Sequence, residues 1–201
     1  MAKADAIIRQ ITDLIEARID DWNTRMPKIQ EDAYKVVLEL SSELETSNGQ
    51  IKPSVKNIKT IAKIKAELDK TIFNKEYQDD LDAIIEDYKT ISTLQRDYFT
   101  AVVGKFKVPS VLEQIQQLAQ ESVINQLGQD AISANFTGPI KDILVKNVTT
   151  GGSKADFIEQ AREFMLNTDA GDGRLVRYTR LIVTDSLNQF SANYNATLTD
   201  D

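Results

Sequence analysis

Residues 77–98 read YQDDLDAIIEDYKTISTLQRDY. Apolar side chains recur at Tyr77, Leu81, Ile84, Tyr88, Ile91 and Tyr98, in steps of four, three, four, three and seven, with Gln95 at the skipped place. An α-helix turns once in about 3.6 residues, so these steps line one face of a helix, whereas a half-buried strand alternates with period two. The stripe is a heptad pattern of the kind that packs against other helices. Asn74, just before it, is a suitable N-cap or break.

The same spacing extends outward on both sides. Ile8, Ile11, Ile15 and Trp22, with Ile7, Leu14 and Ile19 beside them, predict a helix over about 3–23. Pro27 fits the first turn of a second helix through Ala33, Val36, Val37, Leu40 and Leu44. Ser47-Asn48-Gly49 reads as a helix stop with a left-handed residue available. Lys52-Pro53 leads into a third helix with Val55, Ile58, Ala62 and Leu68 on its apolar face.

After Gly104 and Pro109, a helix from Ser110 to Leu127 carries Leu112, Ile115, Leu118 and Ala119. Gly128 and Gly138-Pro139 divide the next stretch into short pieces. Ile143-Leu144-Val145 with Val148 is the one β-like candidate. Thr149-Thr150-Gly151-Gly152 is a turn, and Ser153 with Asp156 three residues on forms an Asp version of the capping box. The helix that follows carries Phe157, Ile158, Ala161, Phe164 and Met165. Asn167 to Gly173 is a loop, and a last helix from Arg174 carries Val176, Val183, Leu187, Phe190 and Tyr194. The expected fold is all-α: an elongated helical bundle or coiled-coil-like arm over 1–103, and a subdomain of shorter helices over 104–201.

Composition narrows the chemistry. The 201 residues include no histidine and no cysteine. That removes Ser-His-Asp and Cys-His catalysis, thiol redox chemistry and nearly every zinc site. Apolar runs reach about three residues, as at Leu181-Ile182-Val183, against about 20 for a membrane span. The N-terminus lacks the apolar core of a secretory signal, and the Asn-x-Thr triplets at Asn135, Asn147 and Asn195 read as chance. The net charge of −7 is uneven: residues 51–75 hold seven lysines against Glu67 and Asp69, and residues 76–100 hold two basic against seven acidic side chains. Two neighbouring helices of opposite charge that attract each other are expected. Lys52, Lys56, Lys59 and Lys63 fall on one helical stripe, which reads as a solvated face rather than a phosphate-binding one, because the overall field is negative.

The candidate motifs for chemistry fail on spacing. The loop Asp169-Ala170-Gly171-Asp172-Gly173 begins like a calcium loop, but its twelfth position is Arg180 where a bidentate glutamate belongs. Gly151-Gly152-Ser153-Lys154 lacks the full phosphate-loop spacing and reads as a helix entry. Asp79, Asp80, Asp82, Glu86 and Asp87 lie beside the heptad stripe and are expected to face water; no catalytic pair is read from them. No cofactor and no catalytic residue are expected.

Arg174, Arg177 and Arg180 step by three at the start of the last helix, and the chain has only eight arginines. Their guanidinium forks suit carboxylates or phosphates. They pair either with nearby Asp169, Asp172, Asp185 or Glu163, or with an acidic partner surface or nucleic acid. Asn188, Gln189, Asn193 and Asn195 make the rest of this helix polar beside its apolar stripe, as in subunit interfaces.

The order Gly151-Gly152-Ser153, helix, loop, then Arg177-Tyr178-Thr179-Arg180-Leu181-Ile182-Val183-Thr184-Asp185-Ser186 resembles the phage head-morphogenesis or minor head protein family of the Mu F type, over about 50 residues. Thr184 matches the family threonine, Asp185 stands for its glutamate, and Val183 replaces its arginine. The resemblance implies a virion structural protein and not an enzyme. It would sit in the capsid interior or portal region after assembly in the host cytoplasm, and act in head assembly or genome packaging and ejection. Its implied partners are portal or capsid proteins, with self-association and DNA as further contacts. The alternative is a cytoplasmic helical adaptor or coiled-coil interaction protein.

Overall fold

The computed structural model describes residues 2–105, 107–166 and 172–199. The fold is all-α. In chain order the elements are α1 (Ala2–Ser41), β1 (Thr46–Ser47), β2 (Gln50–Ile51), α2 (Val55–Ile72), α3 (Lys75–Val103), α4 (Val111–Leu127), α5 (Gln129–Ile132), a π-helical turn (Ser133–Thr137), α6 (Gly138–Thr150), α7 (Lys154–Leu166) and α8 (Arg174–Thr199). Among these helices none is long and apolar enough to cross a membrane.

Residues group into two compact units. The first holds 1–23, 78–128 and 179–201; the second holds 24–77 and 129–178. Each unit thus draws on both sides of residue 103, where the sequence reading set a boundary. The first unit buries Ile7, Ile11, Ile15 and Trp22 of α1, Ile84, Tyr88 and Ile91 of α3, and Val183, Leu187, Phe190 and Tyr194 of α8. The second buries Met26, Ile29, Ala33 and Val37 of α1, Ile61, Ile64 and Leu68 of α2, and Phe157, Ala161 and Met165 of α7.

Several local expectations hold. The helix expected after Lys52-Pro53 begins at Val55, and Ser54, which the sequence reading did not single out, caps it by accepting from the Asn57 backbone N–H at 3.2 Å. Asn74 Oδ1 accepts from Tyr77 N–H at 2.9 Å and starts α3. Ser153 Oγ accepts from Asp156 N–H at 3.0 Å while Asp156 Oδ2 accepts from Ser153 N–H at 3.3 Å, a complete reciprocal box. Of the turn expected at Thr149-Thr150-Gly151-Gly152, Thr149 and Thr150 still belong to α6, and Gly151 ends that helix in the left-handed conformation at φ 68°.

Four expectations are corrected. First, Pro27 does not begin a helix; it lies inside the unbroken α1. Proline inside a helix costs about 3 kcal/mol. The buried residues Trp22, Met26, Ile29, Ala33 and Val37 nevertheless keep steps of four, three, four and four across it. Burying a Trp, Met or Ile side chain is worth about 1.5–3 kcal/mol each, so the stripe outweighs the breaker.

Second, Ser47-Asn48-Gly49 is no helix stop. α1 ends at Ser41, and Thr46–Ser47 pairs antiparallel with Gln50–Ile51 around a tight turn. Asn48 has φ 51° and Gly49 φ 81°, the doubly left-handed turn that matches strand twist. Ile51 N–H donates to Gly152 O at 2.9 Å and Lys154 N–H to Gly49 O at 3.2 Å, so the hairpin is fastened to the entry of α7.

Third, the apolar face of α2 is rotated. Val55 and Ile58 are 71% and 62% exposed, while Asn57 and Thr60 are buried with Ile61, Ile64, Leu68 and Ile72. Buried Asn57 is admitted because its amide is fully used. Glu45 N–H donates to its Oδ1 at 2.8 Å, and its Nδ2 donates to Glu45 O and Lys52 O at 2.9 and 2.7 Å. One side chain therefore ties together both ends of the hairpin.

Fourth, Ile143-Leu144-Val145 and Val148 lie in α6, not in a strand. Ile140, Leu144, Asn147 and Val148 are its buried face, a four-residue period hidden by the short β-branched run. Ahead of it the chain makes a π turn at 133–137, where Gly138 N–H donates to Ser133 O. Pro139 has no N–H with which to continue an α-type ladder through this turn. Thr137 Oγ1 donates to Asp69 Oδ1 at 2.5 Å, and Lys65 Nζ reaches both Asp69 Oδ2 at 2.6 Å and Ser133 Oγ at 2.9 Å. The π turn is thereby fastened to α2.

Candidate functional site

The three arginines singled out from sequence all lie on α8, in different surroundings. Arg174 is exposed, and its guanidinium carbon stands 4.5 Å from the centroid of the Phe164 ring. A cation over an aromatic face is held by the ring quadrupole. Phe164 in turn tilts against Phe136, with centroids 5.9 Å apart. Arg177 is exposed on the same turn. Arg180 is half-buried, and its Nε donates to Asn23 Oδ1 at 2.6 Å. Arg174 and Arg177 belong to the second unit and Arg180 to the first. Asp169, one of the carboxylates expected to pair with them, lies outside the described residues, as does most of the loop compared with a calcium site.

A positively charged first turn opposes the helix dipole. The backbone at the start of α8 is satisfied by another route that spacing does not reveal. Gln30, buried on α1, accepts from Leu175 N–H at 3.0 Å and Val176 N–H at 3.3 Å through its Oε1. Two of the four N–H groups that a helix start leaves unpaired are thus covered by a neutral amide.

Carboxylates are the second surprise. Asp79, Asp82 and Glu86 are exposed as expected, but Asp80 and Asp87 are buried. Seven residues separate them, so they share one face of α3. Arg18 of α1 meets Asp87 with both arms of its fork, Nε to Oδ2 at 2.6 Å and Nη2 to Oδ1 at 3.3 Å. The Asp87 hydrogen bond, followed by the charges of Asp87, Asp21 and Asp80, outweighs burial and raises the Arg18 pKa above its ordinary value. A lone arginine in an otherwise apolar stripe, at Arg18 between Ile15 and Trp22, was the available signal for this pair.

The lysine-rich α2 uses its charges locally. Lys56 faces Glu45 at 3.6 Å, Lys63 faces Glu43 at 2.7 Å, Lys65 faces Asp69 at 2.6 Å and Lys70 faces Glu67 at 3.7 Å. These pairs accord with a solvated stripe rather than a row held for phosphates. Among the described residues no group of three or more His, Cys, Asp or Glu side chains could hold a metal ion.

In the first unit α4 and α8 both rest on α3. Ser92 Oγ of α3 donates to Gln116 Oε1 at 2.8 Å, and Gln120 Nε2 donates to the Ile85 carbonyl at 3.0 Å. On the other side the Tyr88 ring meets Phe190 edge to face, with centroids 4.8 Å apart, and Gln95 Nε2 donates to Ser191 O and Oγ. Between α4 and α8 runs a groove of about 720 Å³ with Tyr88 at its floor. Leu118, expected on the packed face of α4, stands 64% exposed on one wall, and Leu181 stands 62% exposed on the other. The Tyr88 side chain is fully buried, and burial pushes its hydroxyl up to about 12, with Ser186 opposing slightly. Apart from Ser186, no described residue offers that hydroxyl a hydrogen-bond partner.

Searches against protein-family models, curated proteins and solved structures found no match.

Proposed function

We propose that this chain is a structural component of a phage head, associated with the portal or the inner capsid, which acts by helix packing rather than by catalysis. The observation that carries the reading is the order of motifs over residues 151–186, which resembles the phage minor head protein family. The local geometry is consistent with that order. Gly151 turns the chain, Ser153 and Asp156 cap α7, and an arginine-led α8 follows the loop. Where the family pattern has an arginine this chain has Val183, which is 1% exposed. Thr184 and Asp185 lie on the more accessible side of α8.

In this reading the flank of Arg174, Arg177 and Arg180 contacts an acidic partner surface or DNA, with Arg180 also donating to Asn23. Mass spectrometry of purified virions and procapsids tests the assignment. The chain should be present in one or both, at low copy number. Its absence from both would leave the adaptor alternative, and a portal or terminase gene beside its own would argue against that alternative.

A further inference from the structure

We propose that Asn48 is a modification site: its side-chain amide converts spontaneously to aspartate and isoaspartate through a succinimide closed by the Gly49 nitrogen, at a rate set by how often the hairpin turn opens. This chemistry does not depend on the phage reading, and it holds equally for an adaptor.

Position in the fold singles out this asparagine. Among the described asparagines it alone is followed by glycine. The others lie within helical segments, where the next N–H belongs to the helical ladder, apart from Asn74. Asn74 is followed by a lysine, and its side-chain oxygen is held by the Tyr77 N–H at 2.9 Å. Asn48 and Gly49 are both exposed at the tip of the hairpin. Nothing lies within 4 Å of a Cβ built on Gly49, so neither a side chain of its own nor a neighbouring one crowds the attacking nitrogen.

The step balances with water alone. The Gly49 nitrogen gives up its proton to solvent hydroxide and attacks Cγ of Asn48. The new N–Cγ bond closes a five-membered ring, the Cγ–Nδ2 bond breaks, and Nδ2 leaves as ammonia with a proton from water. Water then opens the ring at either carbonyl. Cleavage at Cγ restores the original main chain, now with aspartate. Cleavage at the main-chain carbonyl leaves Gly49 bonded to Cγ, an isoaspartate whose main chain has gained Cβ and whose α-carboxylate is free. One water is consumed and one ammonia released, with no oxidant or reductant.

The native turn holds the reaction back. Ring closure brings the Gly49 nitrogen into line with the Asn48 Cβ, a large rotation about the Cα–C bond away from the doubly left-handed turn. That rotation carries Gly49 with it. The Gly49 carbonyl accepts from Lys154 N–H at 3.2 Å, Gln50 bridges Ser153, and Ile51 N–H donates to Gly152 O at 2.9 Å. The turn must therefore release the entry of α7 before the ring can close, a local opening of the fold. Once isoaspartate forms, its extra main-chain carbon and its carboxylate no longer fit a two-residue turn, and the fastening to α7 is lost.

The test follows ammonia release and peptide mass in the full chain held for several weeks at mildly alkaline pH. Product should accumulate at Asn48 in the folded chain, and roughly tenfold or more faster in the urea-unfolded chain. Asn48→Gly keeps a residue that accepts positive φ, so it should fold normally and release no ammonia from this site. Hydrogen exchange reads the consequence. The Lys154 and Ile51 amides should be protected in freshly prepared Asn48→Asp, which adds only the charge. They should lose roughly tenfold or more of that protection in the isoaspartate form isolated by chromatography. No product at Asn48 in the folded chain, equal rates in folded and unfolded chains, conversion concentrated at another asparagine, or unchanged protection in the isoaspartate form would overturn the proposal.

Discussion

The Gln30 side-chain amide occupies the space that any side chain at Gly173 would need, because a Cβ built on Gly173 collides with it. The same amide holds the first turn of α8 through Leu175 and Val176. Glycine at 173 is thus a condition for the cap. Gly173→Ala should destabilise the protein by about 1–3 kcal/mol through overpacking and displacement of the cap. Gln30→Ala should cost about 1–3 kcal/mol, since both N–H groups lie on buried residues. In urea denaturation the double variant should lose clearly less than the sum of the two. Additive losses would show that the two positions are independent.

The Arg18–Asp87 pair is enclosed, with side chains 19% and 7% exposed. Truncating one partner leaves the other charge poorly solvated. Asp87→Ala should therefore lower stability by about 2–4 kcal/mol, at the lower side of the range for a fully buried pair because Arg18 retains some contact with water. Arg18→Met with Asp87→Leu should recover most of that loss. A chemical-denaturation series of the three variants would reveal it, and a loss below 0.5 kcal/mol for Asp87→Ala would mean the pair is effectively solvated.

Tyr88 should make stability depend on alkaline pH. Its folded hydroxyl titrates near 12 against 10 for the free side chain, because burial disfavours the phenolate. The folded state therefore holds its proton more tightly than the unfolded state. The associated stability is fully present below pH 10 and is lost as pH rises from 10 to 12, on the order of 2 kcal/mol. Tyr88→Phe should flatten that part of the profile. At neutral pH it should change stability by no more than about 1 kcal/mol, since Ser186 is the one described residue whose interaction with the hydroxyl is removed. Absorbance at 295 nm across pH 9–13, combined with urea midpoints, would measure both effects.

The hairpin turn should be sensitive to the loss of glycine's backbone freedom at Gly49. Gly49 sits at φ 81° with open space around its Cβ position, so Gly49→Ala carries conformational strain and no clash. A cost of about 1–2 kcal/mol is expected. Asn48→Gly should be nearly neutral, because glycine also accepts positive φ. Thermal melting of the two variants separates these outcomes.

Replacing Arg174 and Arg177 with glutamine should leave helix content unchanged by circular dichroism. Association with portal-containing assemblies should weaken, more at low salt than at high salt. Association that is unchanged at every salt concentration would confine the two side chains to local roles such as the Phe164 contact.

Much of the molecule is legible from local pattern. The steps of three and four from Ile7 to Tyr194 determine that the chain is helical, because burial of one helical face requires that period. The caps at Ser54, Asn74 and Ser153 are equally local, since each bond spans three residues. Other features depend on partners distant in sequence. Whether Pro27 opens a second helix was decided by the stripe from Trp22 to Val37, which gains more by staying continuous than one missing N–H costs. The rotated face of α2 follows from Asn57, whose amide finds Glu45 and Lys52 only once the hairpin has formed. Asp87 goes inside because Arg18, 69 residues away, comes with it. Asn48-Gly49 could have been read as a hairpin turn; what only the tertiary structure supplied was Gly152 and Lys154, whose backbone groups pair with so short a ribbon. Two-residue strands are too short to stand alone. In each case the local pattern states what a segment can do, and the burial and pairing available from distant residues selects which of those states it takes.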